Sequence, residues 1–154
     1  STKGEDQREF GKSYLFLAPG QAGTTPDLPR TAFRDDNLPG EIVVDSVDAF
    51  PANTTFEVAV VVDDDAQELR LYLNAKEERR TTLTEPLAAI EDVNNWLGRS
   101  QFSADSRFGG SFLEFRIYDR ALTPGQLAES VAFGASPAFL APAKPGAQDG
   151  SGAP

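Results

Sequence analysis

The side chains that could do chemistry in this sequence are carboxylates and aromatic rings. The 154-residue chain contains no His, Cys or Met. Imidazole and thiolate metal sites, cysteine nucleophiles and histidine bases are therefore excluded, and serine-triad hydrolysis is excluded with them.

Paired carboxylates are the remaining route to hydrolysis of a glycosidic bond, which needs two acids that flank the scissile bond. No predicted strand carries such a pair. Glu57 is isolated in an apolar run, and the next acid after Glu114 is Asp119, at the end of its run. We expect Glu114 to form a salt bridge with Arg116 or another neighbour, and we expect no enzymatic activity.

Acidic loops are candidate sites for calcium, a hard cation that prefers oxygen ligands. Asp35 and Asp36 precede Asn37 in a loop with strong turn chemistry, so three oxygen donors lie close together in sequence. The run 63–65 is the densest acidic cluster. For the run 63–65 the alternative is structural, because successive carboxylates in a hairpin turn usually remain solvated and calcium needs six or more converging oxygens.

Carbohydrate recognition would need exposed rings beside amide or carboxylate groups. The aromatic candidates are Tyr72, Trp96, Phe102 and Tyr118. Trp96 follows Asn94 and Asn95, which makes a ring-plus-amide set. The alternative is that the single Trp belongs to the core.

Composition indicates one domain with an acidic surface. Hydrophobic residues make up 40% of the chain and charged residues 25%, with a net charge of −10. This charge repels phosphate backbones and anionic lipids, so we expect no nucleic acid partner and no membrane insertion. Residues 1–134 are predicted to form the domain, and the Pro-, Ala- and Gly-rich residues 135–154 a tail or linker.

Short apolar runs separated by turn residues predict an antiparallel all-β sandwich. The predicted strands are 12–18, 31–34, 41–47, 55–62, 68–74, 76–83, 94–100 and 111–119. The run 55–62 is apolar on both faces and is predicted to be central, whereas the charged run 76–83 is predicted to be an edge strand. One short helix is predicted after Thr123, with Thr123 as N-cap and Pro124 at the first position.

Several motifs occur in a specific order in the second half of the chain. They are ELRLYLNAK at 68–76, then Trp96, Gly98, Arg99 and Ser100, then Phe108 and Gly110, then Glu114, Arg116, Ile117 and Tyr118 before Arg120, Ala121 and Leu122. This order resembles a laminin-G-like module of the concanavalin A-like lectin/glucanase superfamily, of the kind attached to bacterial extracellular glycosidases. The resemblance covers residues 8–134.

The resemblance implies a concanavalin A-like jelly roll that lacks its first strands, so a companion chain or an upstream segment is expected to complete the sandwich. It also implies calcium at the rim, with Asp105 in the position of the family's loop aspartate. The alternative for Asp105 is that it only accepts backbone N–H groups within its turn. Ala75 stands where such modules carry Gly, which predicts a longer turn there. Because the chain lacks Met, we expect a processed product or a piece of a longer protein.

The sequence therefore predicts a secreted or cell-surface binding or adhesion module without catalysis, for carbohydrate or protein ligands, assisted by calcium. The predicted ligand-binding residues are Trp96, Asn94, Asn95, Phe102 and Tyr72, and the predicted metal ligands are Asp105, Asp35 and Asp36. The alternative is a structural module without its own ligand that packs against, or completes, a neighbouring domain or subunit.

Overall fold

The computed structural model describes residues 13–20, 28–90, 94–101 and 107–134. The first antiparallel sheet has the order β1 (Tyr14–Ala18), β2 (Arg30–Arg34) and β3 (Ile42–Asp45). The second has the order β4 (Val58–Asp63), β5 (Glu68–Leu73) and β6 (Lys76–Thr82). A short 3-10 helix (Leu87–Ala89) and helix α1 (Pro124–Phe133) follow.

Alternation along the strands divides their side chains between two hydrophobic clusters. On β4, Val58, Val60 and Val62 pack on the inner core between the sheets. Ala59 and Val61 point the other way, into a second cluster that includes Leu127 of helix α1. The prediction that both faces of this strand are covered by protein is confirmed.

The inner core consists of fully buried residues from both sheets. They are Phe33, Val44, Leu69, Leu71 and Leu83. Each side chain of this kind stabilises the fold by about 1.5–3 kcal/mol on burial. The two sheets meet where β3 contacts β5 and β6. At this contact between the two sheets, Glu78 of β6 accepts hydrogen bonds from Ser46 Oγ (3.2 Å) and Val47 N–H (3.3 Å).

The hairpin between β5 and β6 turns on two residues. Asn74 and Ala75 both have positive φ, 49° and 62°, as a tight hairpin of the I′ type requires. The Asn74 side chain accepts the N–H of Glu57 at 2.9 Å. The prediction of a longer turn is therefore wrong, because the pairing of Leu73 with Lys76 leaves only two residues between the strands.

Helix α1 begins where the sequence predicts. Thr123 is the N-cap, Pro124 follows, and Thr123 and Gln126 form a reciprocal capping box, which satisfies two backbone N–H groups at the helix start. Leu127 packs with Val61 and Tyr72, so the helix covers the outer face of the second sheet.

Three strand predictions need correction. Among the described strands β4 lies at the end of its sheet and β5 in the centre, so the predicted central position of 55–62 is wrong. Residues 94–100 and 111–119 are not assigned as strands. The physical reason is that no described neighbour pairs with them in a backbone ladder.

Candidate functional site

The Asp35 carboxylate is buried, at 1% exposed, and it organises its own turn. Oδ1 accepts the N–H groups of Asn37 and Leu38, both at 3.0 Å, and Oδ2 accepts Asn37 Nδ2 at 3.0 Å. Asp36 is exposed. Within the part of the chain that the structure describes, no group of three or more acidic side chains is placed to hold a metal ion. Calcium at Asp35 and Asp36 stays a prediction.

The other acidic candidates divide into two groups. Asp105 lies outside the described residues, as does the predicted ring of Phe102. In the run 63–65, Asp63 accepts Arg70 Nη2 at 2.8 Å and the N–H of Ala66 at 2.9 Å. Asp64 accepts the N–H of Leu87 at 3.0 Å. These two carboxylates therefore serve the hairpin and the loop after β6, in line with the structural alternative.

Trp96 is half-buried, and the guanidinium of Arg99 lies 5.2 Å from its ring centroid. A cation over an indole face is attractive by about 0.5–1 kcal/mol at an exposed site. Asn95 is exposed and Asn94 half-buried, so the ring and the amides share one loop. The Gly98 carbonyl, next in this loop, accepts the N–H of Phe108 at 2.9 Å.

Tyr72 belongs to the core. Its residue exposure is 1%, and its hydroxyl donates to Glu77 Oε2 at 3.0 Å. Burial, together with this hydrogen bond, raises the pKa of the phenol. The ring has no face open to a sugar, which corrects the sequence-based expectation for this residue.

The carboxylate Glu114 pairs with Arg116, as predicted. Arg116 Nε donates to Glu114 Oε1 at 2.5 Å, and Nη2 donates to Oε2. This hydrogen bonding lowers the pKa of Glu114. Burial raises the pKa of the half-buried Glu57, and the charges of Arg116 and Glu114 also act on it.

Segment 111–118 exposes several large apolar side chains. Leu113, Phe115 and Ile117, here called the apolar strip, are 79%, 57% and 79% exposed. Of the intervening side chains, Arg116 and Tyr118 face helix α1: Arg116 Nη1 donates to the Ser130 carbonyl at 2.9 Å, and Tyr118 packs in the cluster beneath the helix. Phe112 is 54% exposed and packs on the ring of Phe108. Residues 111–115 are all exposed, and burial alternates only over residues 115–119.

The sequence showed the alternation of this segment but did not show which face would be left open. That face depends on where helix α1 packs and on which strands stand opposite. A second partly open apolar surface lies on β1, where Leu15 and Leu17 are each 38% exposed.

Two antiparallel sheets packed face to face, with one helix on an outer face, define the β-sandwich class. A family model described as the Concanavalin A-like lectin/glucanases superfamily, of the laminin G type, matches residues 5–128. The chain belongs to this family, which confirms the recognised resemblance and the all-β sandwich.

A search of solved structures finds similarity to an S-layer domain-containing protein (residues 221–444) from Clostridium thermocellum. The sequence identity is 22% and the TM-score 0.48, with 79% of this chain and 57% of that chain covered. This chain thus spans just over half of that structure. No curated protein matches the sequence.

The described helices include none with the length and apolar character needed to cross a membrane.

Proposed function

We propose that this chain is a binding module without catalytic activity that acts outside the cell and recognises a polypeptide ligand. The apolar strip is the observation that carries the proposal. Three large side chains project from one face of one segment, whereas apolar residues on the surface of a monomer usually stand singly. Such a row is typical of a surface that another polypeptide covers.

The energy available from covering the strip is large enough to support binding. Each side chain that passes from exposed to buried contributes about 1.5–3 kcal/mol. Micromolar binding corresponds to about 8 kcal/mol after the entropic cost of association. The strip alone therefore supports weak binding, and a tighter complex needs the backbone or a neighbouring surface as well.

Family membership and the types of acidic and basic residues in the chain support the absence of catalysis. Modules of this superfamily are generally binding modules without catalysis, and the chain has no His or Cys. The carboxylate of Glu114 is neutralised by Arg116, so a nucleophile and acid pair like that of a glycosidase has little support here. The acidic charge and the family also support a secreted or cell-surface location.

Selection from a phage-displayed library of random peptides tests the polypeptide ligand. We expect enrichment of peptides with apolar residues at alternate positions, and about tenfold or more weaker binding to the variant Leu113→Ser with Ile117→Ser. The matched control is Val47→Ser with Leu87→Ser, two residues that are also exposed. Equal binding by both variants, with unchanged melting temperatures, would show that the strip binds no polypeptide.

Carbohydrate recognition is the second candidate, and the half-exposed Trp96 beside Asn94 and Asn95 favours it. Calcium, with Asp35, Asp36 and Asp105 as its predicted ligands, would assist this binding. A glycan array probed with and without calcium tests this function. Signal that Trp96→Ala abolishes would support it, and silence in both buffers would remove it.

A structural role is the alternative use of the apolar strip. In that case the strip packs against a neighbouring domain, or a companion chain or upstream segment completes the sandwich. Peptide binding in solution supports the ligand-binding role. Its absence, together with protection of the strip in a longer version of the chain, supports the structural role.

A further inference from the structure

The loop between β3 and β4 carries the sequence signal for N-linked glycosylation. Residues 53–55 are Asn-Thr-Thr, which matches the acceptor triplet Asn-x-Ser/Thr in which the middle residue is not proline. The triplet does not occur at the other asparagines of the chain, which are Asn37, Asn74, Asn94 and Asn95. Such triplets also occur by chance, so the geometry of the loop decides whether this one can be used.

The triplet lies at the exposed tip of its loop. Phe50 and Phe56 are half-buried, and their ring centroids lie 4.7 Å apart, so the two rings close the base of the loop. Between them, residues 52–55 are all exposed, and residues 52 and 53 form a turn. Asn53 has a φ of 56°, a left-handed conformation that asparagine adopts more readily than most residues. An enzyme can therefore reach the Asn53 amide while both sheets stay folded.

The Asn53 side chain makes no hydrogen bond that the fold would lose. Within the described ranges, none of the side chains of Asn53, Thr54 and Thr55 forms a hydrogen bond. Two other asparagines differ in this respect. Asn37 Nδ2 donates to Asp35 at 3.0 Å, and Asn74 Oδ1 accepts the N–H of Glu57 at 2.9 Å. The Asn53 amide nitrogen is thus available for reaction, and a glycan attached to it would replace no contact of the fold.

We propose that Asn53 is a site of N-linked glycosylation that stays accessible to the transferase in the folded protein. This inference goes beyond the proposed function and shares with it only the location outside the cell, since such glycans are added to exported proteins. A transferase recognises the Asn53 amide together with the hydroxyl of Thr55, two residues later.

The donor for this reaction is a lipid-linked oligosaccharide, whose terminal sugar carbon C1 is bonded to a phosphate oxygen of the lipid carrier. The bond between C1 and that oxygen breaks, and the lipid phosphate leaves with the electron pair. A bond forms between C1 and Asn53 Nδ2, and one amide proton is released. The glycan then projects from the tip of the loop into solvent.

The first test is the mass of the protein as its own source organism exports it. We expect the peptide that contains Asn53 to be heavier by one oligosaccharide. In the same host, Asn53→Gln and Thr55→Ala should abolish this gain. The matched control is Thr54→Ala, which keeps the triplet and should be modified like the wild type. An unmodified Asn53 in the exported protein would overturn the proposal, as would a gain that survives in Thr55→Ala, because that modification would not depend on the triplet.

The second test measures whether the folded loop is accessible. A purified oligosaccharyltransferase and a lipid-linked oligosaccharide are incubated with the folded chain or with a free synthetic peptide of residues 49–58. If the tip is accessible as it stands, the initial rates should agree within about tenfold. If transfer needs global unfolding, the folded chain should react about a thousandfold more slowly or worse, and that result would overturn the proposal. None of these substitutions is in the apolar strip, so neither test bears on the proposed binding of a polypeptide.

Discussion

Replacement of Asp35 separates a turn-forming role from a metal-binding role. In the structure this buried carboxylate accepts the backbone N–H groups of Asn37 and Leu38 and the Asn37 amide. The substitution Asp35→Ala removes all three acceptor contacts. Asp35→Asn keeps the shape but retains one acceptor oxygen and loses the charge.

The expected loss of stability depends on how far water can replace these hydrogen bonds in each variant. A hydrogen bond to a charged acceptor contributes about 1.5–3 kcal/mol when it is buried. Asn37 is exposed, so water replaces the acceptor for its groups, whereas Leu38 is half-buried. We expect Asp35→Ala to lower the free energy of unfolding by about 2–3 kcal/mol and Asp35→Asn by about 1–2 kcal/mol.

Urea denaturation followed by circular dichroism measures these losses, without calcium and with calcium near 1 mM, where extracellular modules bind it. If Asp35 only forms the turn, each loss is the same in both buffers. If Asp35 holds calcium, the ion stabilises the wild type but not Asp35→Asn. Asp36→Asn is the control, with an expected change below about 0.5 kcal/mol without calcium. A loss below about 0.5 kcal/mol for Asp35→Ala in both buffers would refute the turn-forming role.

Three further predictions concern the hairpin, the helix and an ion pair. Ala75→Gly should raise the free energy of unfolding by about 0.5–1 kcal/mol, because relief of the positive φ outweighs the greater freedom of glycine in the unfolded chain; a lower urea midpoint would contradict this. Thr123→Ala should cost about 1 kcal/mol by loss of the N-cap, whereas Thr123→Ser should cost less, as thermal melts would show. The Arg30 guanidinium, which donates to Asp45 at 2.6 and 2.9 Å, lowers the pKa of that carboxyl from its ordinary 3.8. The pair therefore adds stability above about pH 4 that is lost as the pH falls through the lowered pKa of the folded state. Arg30→Gln should flatten the dependence of the urea midpoint on pH in that range, and an unchanged slope would count against the pairing.

The elements that the sequence predicted well are those whose signals are local. The capped helix after Thr123 follows from side chains that bond their own backbone within one turn. Strands 58–63 and 68–73 follow from alternation, which requires one face to be buried whatever lies opposite. The salt bridge of Glu114 with Arg116 was also predictable, because residues two apart on an extended segment share a face.

The predictions that are wrong have a common cause, because each depends on neighbouring residues that are distant in the sequence. The sequence predicts Tyr72 as a ligand-binding ring, yet packing beside Leu122 and Leu127, which lie some fifty residues later in the chain, buries it. The sequence predicts a central position for strand β4 because the strand is apolar on both faces. In the structure β4 lies at the end of its described sheet, and helix α1 covers its outer face.

The sequence by itself determined the class of fold, the family and the absence of histidine and cysteine chemistry, since periodicity, motif order and residue types can be read without coordinates. Only the tertiary structure decided that Asp35 is turned inward to bond its own loop, and that Leu113, Phe115 and Ile117 remain exposed. The physical reason is that exposure depends on which surfaces stand opposite a residue, and strands and helices far apart along the chain supply those surfaces.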